Sequence, residues 1–154
     1  MHPSDLTPEL ERAAFDFLYW FARFEFCLKE AGYLKSDKSG KKAEPNWDKF
    51  VRTNRARYTF SEAAIALVKA DPQQQFNTSK GTLVWREIDF DPNEFELQVV
   101  MLLLRAVRNN LFHGGKKSPS RWDDIAHTQA VLRDAKTVLG ELAAFARVEQ
   151  YRRA

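Results

Sequence analysis

A single cysteine and three histidines in 154 residues leave several kinds of chemistry without material. Cys27 has no partner for an internal disulfide. It falls inside an apolar helical pattern, so a packing role in a reducing compartment is expected rather than redox or nucleophilic work. His2, His113 and His127 do not combine with Cys27 in the spacing of a zinc site, and no Ser, His and Asp set announces a hydrolase. No metal or cofactor is therefore expected. Long apolar runs are also missing: "AAFDFLYWFARFEF" and "VVMLLL" are broken by charges before the roughly 20 residues that a membrane span requires. The opening "MHPSDLTPELE" lacks the basic start and apolar core of a signal peptide, so a cytoplasmic location and no membrane partner are expected.

What is present is ordinary for a soluble globular chain: 44% hydrophobic and 29% charged residues. The length suits one domain over residues 1–154, large enough to bury a core without disulfides or structural metals. A net charge of +3 and a pI near 9.0 are compatible with an anionic partner such as RNA.

Periodicity and caps predict an all-α fold, a helical bundle of four to five helices. The first helix starts at Thr7 with Pro8 in its first turn and stops at Ala31 before Gly32. Its apolar positions, Ala14, Leu18, Phe21 and Leu28 among them, cover more than one stripe, which predicts deep packing. Glu25 interrupts that surface between Phe21 and Leu28, and a carboxylate there needs a partner. Residues 34–46, "LKSDKSGKKAEPN", read as a mobile basic loop. Asn46 caps a second helix, and "TFSE" at 59–62 is a capping-box pattern opening a third that ends at Asp71-Pro72. Residues 71–92 form a long connection before the next helix, with "TLVWREI" as a short strand, and either wrap the bundle or cover a site. Asp91-Pro92-Asn93-Glu94 supplies a cap, a proline and an acidic first turn for a helix that continues through Phe112 to the stop at Gly114 and Gly115. Ser120 caps the last helix, where Trp122, Ile125, Leu132, Leu139 and Leu142 recur at helical spacing.

Two familiar patterns fail on inspection. "IDFDPNEFE" has alternating carboxylates, but an EF-hand loop counted from Asp89 requires glycine where Glu94 stands and glutamate where Val100 stands. "HGGKKS" falls short of a phosphate loop, with Asn110 in place of the first glycine and Lys117 in place of Ser or Thr.

One pattern survives. Arg108 to His113 reads "RNNLFH", an arginine and a histidine with four residues between them and Asn109 directly after the arginine. This resembles the signature of the HEPN superfamily (higher eukaryotes and prokaryotes nucleotide-binding), helical-bundle proteins of which many are metal-independent ribonucleases. The segment "RFEFCLKEAGY", residues 23–33, is similar to the opening helix of a subgroup of that family. Spacing alone does not discriminate, since Arg121 and His127 are separated by five residues. What sets the first pair apart is its company: Asn109, the glycines, and Lys116 and Lys117 beyond.

The resemblance implies a metal-independent endoribonuclease acting on single-stranded RNA, with Arg108, His113 and Asn109 catalytic and Lys116, Lys117 and Arg105 as RNA contacts. RNA cleavage needs a base for the 2′-hydroxyl proton, an acid for the leaving 5′-oxygen and cationic donors for the phosphorane. One histidine cannot be base and acid in the same step. A homodimer that places two Arg108 and two His113 in one cleft removes the difficulty, and the family implies that arrangement. A role as a toxin or phage-defence effector, with an antitoxin partner, follows from the same resemblance. Glu25 is open to two readings, a structural partner for an arginine or a residue supporting the site. The rival to catalysis is a HEPN module that binds RNA, nucleotide or a protein partner without cleaving. A third reading is a helical scaffold in which Arg108 makes a surface ion pair and His113 caps a helix.

Overall fold

The computed structural model describes residues 7–79, 81–113 and 124–146. Over these the fold is largely helical, with five α-helices and one small two-stranded sheet: α1 Pro8–Glu30, α2 Trp47–Asn54, α3 Glu62–Ala70, β1 Gln74–Asn77, β2 Leu83–Arg86, α4 Glu96–His113 and α5 Ile125–Phe145. A 3-10 turn, Arg55–Arg57, follows α2.

α1 begins and ends as expected. The Thr7 hydroxyl accepts from the Leu10 amide at 3.2 Å, and Gly32 takes φ of 81° just past the helix. The amides of Gly32 and Tyr33 donate back to the Lys29 and Leu28 carbonyls, the paired bonds of a glycine-terminated helix. Asn46 caps α2 through the Lys49 amide. α3 departs from expectation by two residues: its cap is Ser61, which accepts from the Ala64 amide, and not Thr59. The expected helical start at Asp91 is likewise a turn, closed by the Glu94 amide on the Asp91 carbonyl, and α4 begins only at Glu96. Asp124 caps α5; Ser120 and Trp122 lie outside the described residues.

The core explains why these segments are helical. Along α5 the buried positions are Thr128, Val131, Leu132, Ala135, Val138, Leu139, Leu142 and Ala143, steps of three and four that keep one face inward. α1 and α3 lie against that helix, and α4 contacts α1, α2, α3 and α5. Phe17, Phe24 and Leu28 from α1 meet Phe50, Leu67, Leu97, Met101, Leu104, Leu132 and Leu139 in a single buried cluster. Truncating any of these leucines to alanine typically costs about 2–5 kcal/mol.

Three expectations change. The 71–92 connection contains an antiparallel hairpin, with Gln74 opposite Arg86 and Asn77 opposite Leu83, and the Asn110 amide group of α4 donates to the Gln73 carbonyl at 2.8 Å. The 34–46 segment is clasped at its base: the Asn46 amide donates to the Tyr33 carbonyl at 2.7 Å and the Lys35 amide to the Glu44 carbonyl at 3.0 Å. α1 is not packed all round, because Phe15 (69% exposed), Tyr19 (45%) and Phe26 (40%) face away from the core. Cys27 is fully buried, as a packing residue should be. No helix among the described residues is long and apolar enough to cross a membrane.

Candidate functional site

On α4, Arg105 stands three residues before Arg108 and four before Asn109, a spacing that groups all three along one side of the helix. They form one wall of a cleft of about 520 Å³. Phe21 and Glu25 of α1 form the second wall, and residues 42–48 with Lys35 form the third. The structure thus gathers Arg105, Arg108 and Asn109, the expected site residues of one segment, with Glu25 of a distant one, whose role the sequence left open.

Arg108 is half-buried and held from two sides. Its Nη1 donates to Asn109 Oδ1 at 2.9 Å, and its guanidinium carbon lies 6.0 Å from the centre of the Phe21 ring. The polar residue after the arginine therefore orients it. The backbone of α4 remains helical through His113, so His113 and Asn109 are one turn apart on the helix. The His113 side chain, Lys116 and Lys117 lie outside the described residues.

Glu25 has a defined partner, and it is not an arginine: Trp47 Nε1 donates to Glu25 Oε1 at 2.9 Å. The Trp47 ring stacks on Phe21 with centroids 5.5 Å apart and leans on Phe24 at 5.3 Å. This aromatic trio fixes the α1 wall against the start of α2, with the carboxylate at its edge. Nothing local in "NWDKF" signals that role for Trp47; it arises from the clasp that brings Asn46 back to Tyr33.

The cleft is electrostatically mixed. Lys35, Lys42, Arg105 and Arg108 supply positive charge, while Glu25, Glu44 and Asp48 oppose it. Glu44 lies 3.3 Å from Lys35 and 3.5 Å from Lys42, and the bond from Lys35, reinforced by Lys42, holds its carboxyl below the ordinary range. Arg105 is exposed, with Nη1 3.8 Å from Met101 Sδ. Among the described residues no group of three or more His, Cys, Asp or Glu side chains is placed to hold a metal ion. The arrangement can accept an anion at Arg105 and Arg108, with the amide groups of Asn46 and Asn109 lining the same cleft. No protein-family model, curated protein or solved structure matches this chain.

Proposed function

We propose that the chain is a single-domain helical bundle of the HEPN type and a cytoplasmic, metal-independent endoribonuclease acting on single-stranded RNA. The observation that carries this reading is the convergence of Arg105, Arg108 and Asn109 on one cleft, with Arg108 oriented by Asn109. An arginine held this way presents donors to the non-bridging oxygens of a phosphodiester without having to be ordered first.

In the proposed reaction, His113 of one copy takes the proton of the 2′-hydroxyl. The freed oxygen attacks the adjacent phosphorus, and the bond to the 5′-oxygen breaks. That oxygen leaves with a proton from His113 of the second copy, and Arg108 stabilises the phosphorane charge between the two steps. Lys116, Lys117 and Arg105 contact flanking phosphates. A toxin or phage-defence role with an antitoxin partner belongs to the same proposal.

The test is cleavage of single-stranded RNA in EDTA. Wild type is expected to cleave, with His113→Ala lowering the rate by about 10²–10⁴-fold and Arg108→Ala by about 10²–10³-fold. Cleavage that both variants retain would sink the assignment.

One observation favours a second reading, a module that binds RNA, nucleotide or protein without cleaving. Three carboxylates share the cleft with its four cations, a mixture that suits a ligand of mixed charge such as a protein segment as well as a nucleic acid. Salt-sensitive RNA affinity with no cleavage of any RNA tried would establish it.

A further inference from the structure

The side of α1 turned away from the core carries Phe15, Tyr19, Ala22 and Phe26, steps of four, three and four, all of them exposed. That is the a/d spacing of a helix that expects another helix. We propose that a second copy of this chain covers the stripe, the two α1 helices running antiparallel about a two-fold axis between positions 20 and 21. The inference rests on the composite-site reading above and names the surface that would build the site.

The side chains select this register. Tyr19 falls opposite the partner's Ala22, a large residue against a small one, and Phe15 opposite the partner's Phe26. The charges select the direction. On one flank of the stripe Asp16 meets the partner's Arg23, and the symmetry makes the contact twice. Arg23 and Lys29 already border the stripe, leaning over the Phe26 ring at 5.3 and 5.9 Å. Asp16 is held by Lys136 at 2.7 Å, and a carboxylate accepts from more than one cation. At the ends Arg12 and the partner's Lys29 lie across from one another, with the partner's Glu30 and Glu11 of the same chain alongside. A parallel pairing in register puts the two Asp16 residues on opposite flanks and instead sets Glu11 against the partner's Asp16 and Glu25 against the partner's Glu30, a repulsive arrangement at both positions.

The pairing is also continuous with the cleft. Phe21 and Glu25, its α1 wall, both lie just C-terminal of the same axis, Phe21 next to it and Glu25 about one turn further on. A two-fold perpendicular to both helices keeps equivalent flanks on the same side, so both Glu25 residues border one groove. Along the helices they are separated by about 13 Å, nine residues at 1.5 Å each. Two clefts that are half-sites in the single chain then open onto a shared groove, which is what a one-histidine active site requires.

Light scattering on the full chain is expected to give twice the 17.9 kDa chain mass. Phe15→Glu or Tyr19→Glu should halve it while the helical circular dichroism persists. Leu83→Glu, a charge on an exposed apolar residue of the hairpin, should leave it unchanged. Because Cys27 is buried, introduced cysteines report direction: Phe15→Cys mixed with Phe26→Cys should cross-link to each other, while neither links to itself, being about 16 Å from its own copy along the helix. A wild-type monomer, a dimer indifferent to Phe15→Glu, or a Phe15→Cys self-link overturns the pairing. If RNA cleavage depends on Arg108 in such a protein, the ribonuclease reading stands without this interface. A dimer broken by Phe15→Glu in a protein that cleaves nothing supports the interface and removes the ribonuclease.

Discussion

Tyr58 carries a hydroxyl that the fold buries without a hydrogen-bond partner among the described residues. Its ring packs edge-on against Phe145 at 5.5 Å, and the nearby Glu96 and Glu141 carboxylates are occupied by the Phe60 amide and the Ser61 hydroxyl. An unpartnered buried hydroxyl costs free energy while the ring contributes it. Tyr58→Phe is therefore expected to leave stability at pH 7 unchanged or raise it by up to about 1 kcal/mol in denaturant unfolding. A loss of that size would show that the hydroxyl is bonded after all. Burial, aided by the two carboxylates, raises the Tyr58 phenol above its ordinary value of 10.0, and burial raises the Cys27 thiol above 9.0. In the window above those ordinary values the unfolded chain sheds protons that the native chain keeps. The contribution of these two groups is therefore flat below about pH 8 and falls as pH rises beyond it, and Tyr58→Phe should flatten part of that fall in thermal midpoints.

At the scale of elements, legibility followed the range of the forces involved. Thr7, Asn46 and Gly32 act within four residues of their own helix ends, so their roles can be read from the chain. Thr59 and Asp91 had equally good local patterns, yet the helices start at Glu62 and Glu96, because Phe60 and Ser61 are tied to Glu96 and Glu141 of other helices. The hairpin shows the same limit. Among the described residues its side-chain hydrogen bond to the motif helix is that of Asn110 to the Gln73 carbonyl, across 37 positions. Asn110→Ala is expected to cost about 1 kcal/mol and to speed amide exchange across residues 74–86, leaving the α1 and α5 amides as slow as before. Uniform acceleration across the chain would contradict that local role.

At the scale of the whole molecule, the candidate site was half legible. Arg108 and Asn109 are neighbours, and their bond needs only the helix they share. Lys35, Lys42 and Trp47 reach the same cleft only through the 34–46 clasp and the packing of α2, which no local pattern encodes. The internal pairing of Lys35 and Lys42 with Glu44 bears on how RNA would bind. Glu44 offsets one of those two positive charges, so under the proposed function Arg105 and Arg108 would carry the main phosphate contacts among the described residues. The slope of log affinity against log salt for single strands should fall near −1.4 per copy, plus what Lys116 and Lys117 add, at about 0.7 per contact. Glu44→Gln should steepen it by freeing the lysines; an unchanged slope would place the RNA elsewhere.

The clasp that joins Tyr33 to Asn46 has a practical side. Its ends meet through main-chain bonds, while Asp37 to Gly40 at its tip are exposed. A short tag or fluorescent group spliced between Ser39 and Gly40 would hang from a closed ring, with the helices on either side undisturbed. Because Lys42 and Glu44 of that ring line the cleft, the reporter would sit within sight of whatever enters it.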